Sequence, residues 1–177
     1  MKTVDQWTDL DYLRRAYINA RDMSDDPATQ NGAVLAPLWY PETNLLYGAN
    51  RMPRGIRYTK EEIAAWPKEK KYHWMVHAER SVIALAAFHG ISTQGATLYC
   101  PWFACTDCAT AIIDCGITRI VGHKQMCNKL HPTWMEEIKE ANVMFDKAGV
   151  KREYLDADLF DSNPAHAVMF RGELWIP

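Results

Sequence analysis

Apolar side chains at Leu10, Leu13, Ala16, Tyr17, Ala20 and Met23 recur at helical spacing. With Thr8 as N-cap and Asp11 three residues on, the spacing predicts a helix that ends near Ser24-Asp25-Asp26-Pro27. Two short apolar runs, 32–38 and 44–48, flank Tyr40-Pro41-Glu42-Thr43 and read as two strands joined by a turn. Residues 51–76 show no sustained period and are rich in Arg, Lys, Pro, Gly and Trp, so a long functional loop is expected, with one short helix at 60–66. A helix is predicted over 77–88 and closed by Gly90, a buried strand over 96–100, a second helix over 105–115 closed by Gly116, and a strand over 117–121. Thr133 and Glu136 form a capping box for a further helix, with Trp134, Ile138, Ala141, Phe145 and Ala148 on one face, and residues 150–155 return as a strand. Strands alternating with helices imply parallel pairing and helices on both faces of the sheet. From Asp156 onward no pattern emerges beyond the apolar pieces Met169-Phe170 and Leu174-Trp175-Ile176.

Composition narrows what such a fold can do. A chain of 177 residues with 48% hydrophobic content supports one domain with a real core, expected to span 1–177 with its core at about 10–155 and an extension over 156–177. The formal net charge of -2 gives no basic face for a polynucleotide, although a small anionic ligand needs only a few local cations and backbone amides. No run reaches the roughly 20 apolar residues of a membrane span, and the first residues lack the apolar core of a signal peptide, so a soluble, cytoplasmic protein with no membrane partner is expected. Five cysteines, Cys100, Cys105, Cys108, Cys115 and Cys127, are an odd set that points to metal binding plus buried thiols rather than a disulfide framework.

The chemistry concentrates in two short motifs. His77-Ala78-Glu79 opens one predicted helix, and Cys105-Thr106-Asp107-Cys108 opens another directly after a strand. Thiolates are stabilised at a helix N-terminus, and a two-residue spacer lets both sulfurs reach one ion. One imidazole and two thiolates make three ligands, which leaves a zinc ion one position for a water that the metal acidifies. Glu79 lies two residues from His77, awkward for a fourth ligand but suited to taking the water proton and returning it to a leaving amine. H-x-E followed by P-C-x-x-C is the signature of zinc nucleobase deaminases, and this chain matches it except for Ala104 at the proline. The competing reading is a structural zinc clip completed by His73 or Cys100, which leaves Glu79 unexplained.

At these residues the chain resembles the cytidine and deoxycytidylate deaminase superfamily, and within it the deoxycytidylate (dCMP) deaminases, over about residues 10–155. Three further segments carry the narrower resemblance: Ser24-Asp25-Asp26-Pro27 through Gly32-Ala33-Val34, Gly48-Ala49-Asn50-Arg51-Met52-Pro53-Arg54-Gly55, and Lys71-Tyr72-His73-Trp74 before the metal histidine. The resemblance implies an α/β three-layer sandwich around a five-stranded mixed sheet, a homohexamer, and zinc-dependent hydrolysis of dCMP to dUMP and ammonia, which supplies dUMP for thymidylate synthesis. It also implies allosteric activation by dCTP and inhibition by dTTP, with Mg2+ accompanying the regulatory nucleotide near Gly48, Ala49, Arg51, Arg54 and Gly55. By matching position, Asn50 would hydrogen-bond the substrate sugar, Ala78 would offer backbone to the base, and Ser24, Pro101, Trp102 and Phe103 would complete the substrate site. The chain departs from the family pattern at Ala104, which replaces a proline, at Ala49, which replaces a tyrosine, and at Arg51, which replaces a glycine and adds a candidate triphosphate contact. Met126-Cys127-Asn128 stands near the family's base-facing tyrosine, and Trp134 matches a family tryptophan but is expected to pack in the core.

The basic stretch from Arg51 to Lys71 is either a solvated face or a phosphate site, and His123 is expected in an exposed loop after a strand. Two other functions compete with a free-nucleotide deaminase. A tRNA adenosine or single-strand DNA cytosine deaminase shares the zinc motif but calls for a basic stripe. A non-catalytic nucleotide sensor would keep the fold and dispense with Glu79, which is present.

Overall fold

A computed structural model describes residues 3–39, 41–102, 104–129 and 132–177, with the side chains of residues 41, 42, 132 and 133 outside the description. In chain order the elements are α1 (Asp9–Met23), β1 (Gly32–Ala36), α2 (Pro41–Asn44), β2 (Leu46–Ala49), α3 (Lys60–Ala64), α4 (Lys68–Trp74), α5 (Ala78–His89) and β3 (Thr97–Tyr99). They continue with α6 (Thr106–Asp114), β4 (Arg119–His123), α7 (Lys124–Cys127), α8 (Pro132–Ala148), β5 (Lys151–Leu155), β6 (Val168–Phe170) and β7 (Glu173–Trp175). Most boundaries fall within a residue or two of the sequence reading. Three features differ: residues 41–44 form a helical turn inside the hairpin connection, α4 adds a second helix to the expected loop, and the tail forms a β-hairpin, while the expected Thr133 cap of α8 lies outside the described side chains.

Five strands form a mixed sheet in the order β2-β1-β3-β4-β5, antiparallel on the β2-β1-β3 side and parallel from β3 to β5. Alternation along β1 divides the core. Ala33 and Leu35 join Leu98 and Ile120 under α5, α6 and α8, whereas Val34 and Ala36 join Tyr99 and Val121 under α1. The result is the expected three layers, with three helices on one face and α1 on the other. Helix α1 starts on a capping box, in which the backbone N–H and hydroxyl of Thr8 both donate to the Asp11 carboxylate at 2.9 and 2.7 Å. It lies so close to β1 that a Cβ on Gly32 would land on the Ala16 carbonyl. A Cβ on Gly48 would likewise strike the Ala78 carbonyl, so β2 presses directly on the first turn of α5. No helix among the described residues is long and apolar enough to cross a membrane.

His123 ends β4 fully buried, not in an exposed loop. Its Nε2–H donates to the Ala157 carbonyl at 2.9 Å, which leaves Nδ1 to accept from the Tyr17 hydroxyl at 2.8 Å. Burial pushes its pKa below the usual range, so below about pH 6.5 the unfolded chain binds a proton that the folded chain refuses. Stability held above pH 6.5 is therefore lost as pH falls. His123→Gln should flatten the drop in melting temperature between pH 7.5 and 5.5, and an unchanged drop would show that His123 does not carry it.

Candidate active site

Helices α5 and α6 pack against each other, share one core cluster that includes Ala78, Val82, Cys108 and Ala109, and bring their N-termini together. His77 is the N-cap of α5, Cys105 is the N-cap of α6, and Cys108 lies in the first turn of α6. The His77 Nδ1 sits 3.5 Å from the Cys105 sulfur and 3.6 Å from the Cys108 sulfur, and all three donor atoms lie within 4.8 Å of one another. A tetrahedral zinc ion with bonds of about 2.0 Å to nitrogen and 2.3 Å to sulfur sets its N and S ligands roughly 3.5 Å apart, so the three residues fit the ion. Neither His73 nor Cys100 joins this group among the described residues. The Cys100 sulfur instead accepts from Asn31 Nδ2 at 3.3 Å in the buried interior. The Cys105 thiol is pulled down to about 4 by a hydrogen bond from Cys108 and by His77, while Cys108 goes up because the two sulfurs share one proton. A bound dication removes that competition by holding both as thiolates.

Glu79 follows in the first turn of α5 and is 3% exposed. Its Oε2 has no hydrogen-bond partner. Burial raises the pKa of this carboxyl, opposed by the charge of His77. An orphaned buried carboxylate is costly unless a ligand or water meets it, and Glu79 lines one cleft together with His77 and Cys105. The arrangement can therefore hold a metal and move a proton within the same cavity.

The other expected substrate residues are placed unevenly. Asn50 lines the cleft at the end of β2. Its Oδ1 accepts from the Ala78 N–H at 3.0 Å and its Nδ2 donates to the Thr29 carbonyl at 3.0 Å, which spends the Ala78 N–H and leaves one Asn50 amide hydrogen. Trp102 forms part of the wall, edge-on to Phe170 at 4.9 Å, with its buried Nε1–H unpartnered. Ser24 caps α1 outside the cleft, where its hydroxyl accepts from the Asp26 N–H at 3.2 Å. Pro101 is buried and its carbonyl accepts from the His123 N–H at 3.2 Å, and Phe103 lies outside the described residues. Arg51, Arg54 and Gly55 line a second, shallower depression with Arg57, whereas Gly48 and Ala49 are buried in β2. There Arg51 donates to the Ser81 hydroxyl at 2.7 Å and Arg54 lies 3.7 Å above the Phe88 ring.

Several cleft residues were not legible as such. Trp134, expected in the core, also lines the cleft, edge-on to Tyr72 at 5.7 Å and to His77 at 6.3 Å. Lys68 and Tyr72 come from α4, and Phe170 and Arg171 from the tail hairpin. The signal for that hairpin is Val168-Met169-Phe170 and Glu173-Leu174-Trp175, two apolar pieces separated by Arg171-Gly172.

Residues 7–124 match the family model described as the cytidine and deoxycytidylate deaminase zinc-binding region. An uncharacterised deaminase from the luxG 3′ region of Aliivibrio fischeri is 30% identical over 136 residues, covering 77% of this chain and 86% of that protein. The deoxycytidylate deaminase of Mus musculus is 26% identical over 176 residues, covering 90% of each chain. Among solved structures, the dCMP deaminase of cyanophage S-TIM5 in its apo form superposes with a TM-score of 0.62 at 17% identity, covering 88% of this chain and 100% of that one.

Proposed function

Because the chain belongs to the cytidine and deoxycytidylate deaminase zinc-binding family, we propose that it hydrolyses dCMP to dUMP and ammonia and so supplies dUMP for thymidylate synthesis. The observation that carries the chemistry is the unpartnered, buried Glu79 carboxylate in one cleft with His77 and Cys105 of the donor set that Cys108 completes. The name carried by the mouse relative, which matches over 90% of both chains, favours deoxycytidylate as substrate.

Zinc held by His77, Cys105 and Cys108 would supply a Lewis acid that lowers the pKa of a water in its open position. Glu79 takes a proton from the attacking water and passes one to the departing amine, and its dry surroundings keep the carboxyl basic enough for the first transfer and acidic enough for the second. The remaining Asn50 amide hydrogen and the Trp102 Nε1–H offer donors to the sugar and base, and Ala78 acts by fixing Asn50. Ser24 acts at one remove, holding the Asp26 backbone at the edge of the site. Residues 1–177 work as one deaminase domain, since the 156–177 extension supplies part of the cleft wall.

The depression at Arg51, Arg54 and Gly55 is the site proposed for dCTP or dTTP, a triphosphate that would carry Mg2+ as counter-ion. Hexamer formation would cover apolar side chains that a single chain leaves in water, such as Trp39 and Phe88, 70% and 62% exposed. One set of rate measurements tests these assignments. Ammonia release should be fastest with dCMP, slower with deoxycytidine and cytidine, and absent with tRNA and single-stranded DNA, while dCTP raises and dTTP lowers the dCMP rate. Turnover of the polynucleotides alone would overturn the substrate assignment, and indifference to both triphosphates would overturn the regulatory one.

A further inference from the structure

The tail hairpin builds a wall of the cleft. Strand β6 pairs with β7 in antiparallel register, Phe170 opposite Glu173, leaving Arg171-Gly172 as a two-residue turn. Both turn residues have positive φ, 55° for Arg171 and 85° for Gly172, the geometry of a tight type I′ connection. The hairpin is tied to the segment that follows α1. Gln30 N–H donates to the Met169 carbonyl at 2.8 Å, Met169 N–H donates to Gln30 Oε1 at 2.7 Å, and Gly172 N–H donates to the Ala28 carbonyl at 2.9 Å. Phe170, 8% exposed, pairs in an isolated bridge with Thr29, and both residues line the cleft. The turn that carries Arg171 is thereby held in place from both sides.

Among the described residues lining this cleft, Arg171 supplies the guanidinium and Lys68 the ammonium. The neighbouring Lys71 is already engaged with Asp26 at 3.0 Å. Lys68 lies 5.6 Å over the Tyr72 ring, and no hydrogen bond or ion pair engages Arg171 among the described residues. A turn position of this geometry suits glycine, so the side chain placed there earns its position by what it reaches. An unpaired guanidinium at the wall of a cleft, with a forked set of donors, matches a phosphate monoester dianion.

Resting on the dCMP reading above, we infer that Arg171 binds the 5′-phosphate of the substrate, with Lys68 adding charge from α4, so that the tail hairpin makes the enzyme prefer a nucleotide over its nucleoside. The inference is tested on the zinc-loaded full chain with Arg171→Gln and Arg171→Lys, by kinetics on dCMP and deoxycytidine and by calorimetric binding of dUMP and deoxyuridine. Arg171→Gln should raise KM for dCMP and weaken dUMP binding by about ten- to a hundredfold, the worth of charge-assisted hydrogen bonds. Its kcat should stay within about twofold, since the contact is made equally in ground and transition states, and deoxycytidine kinetics and deoxyuridine binding should not change. Arg171→Lys should recover part of the loss. Unchanged dUMP binding in Arg171→Gln, beside a wild-type protein that prefers dUMP over deoxyuridine, would overturn the assignment to Arg171 and leave the substrate reading standing. A wild-type protein that binds both equally and deaminates deoxycytidine as well as dCMP would overturn the substrate reading, and the phosphate contact with it.

Discussion

Replacing Glu79 by glutamine is expected to lower kcat for dCMP by about a thousandfold or more while the protein still binds one zinc ion per chain. General acid–base transfer by a positioned side chain contributes about a hundred- to ten-thousandfold, and Glu79 is asked to move a proton twice in each turnover. The amide matches the carboxyl in shape but neither accepts the water proton nor gives one to the amine. Stability should hold or rise, because the variant removes a carboxylate whose Oε2 is buried without a partner. Metal content, melting temperature and single-turnover rates check the three parts separately. A variant that keeps more than a tenth of the activity would remove Glu79 from the proton path, and one that loses its zinc would move it into the ligand set.

Cys108→Ser should cost both zinc and activity. Cys108 is fully buried, its sulfur 3.6 Å from His77 Nδ1, and among the described residues no third cysteine joins His77 and Cys105 to replace it. Because metal binding is linked to folding, the loss should also appear in stability. At free zinc a thousandfold above Kd the linkage is about 4.1 kcal/mol, roughly 8–16 °C of melting temperature for a chain of this size. Chelation of the wild-type protein should reproduce the fall, and added chelator should leave Cys108→Ser unmoved. A serine variant that retained stoichiometric zinc would require a different set of ligands.

The donor set was legible because its information is local. Each motif needs only a helix start and a short spacer, and the helices that carry them, α5 and α6, are closed by Gly90 and Gly116 in the left-handed region at φ 66° and 72°. Helix α1 was equally plain from Thr8, Asp11 and its apolar stripe. Helix α4 was hidden because its apolar residues form no stripe. They serve an aromatic cluster in which Trp74 meets Trp66 at 5.6 Å and Tyr58 at 6.3 Å, and Lys70 lies 4.0 Å over Trp66. His123 was misread because its two partners, Tyr17 and Ala157, lie 106 and 34 residues away. Trp134 was read as core alone because one helical face serves both the core and the cleft. The tail hairpin escaped because three-residue strands carry almost no alternation, and their meaning comes from pairing with residues 28–30.

The distances along the chain also predict an order of assembly. His77 is 28 residues from Cys105 and 31 from Cys108, whereas the bond that seats the hairpin joins Met169 to Gln30 across 139 residues. Closing a loop costs more entropy as it lengthens, and contacts distant in sequence are slow to form. The metal donors can therefore meet while the cleft is still missing a side. If Arg171 reads the phosphate as proposed, reactivity is expected to come within reach of the folding chain before discrimination between substrates does.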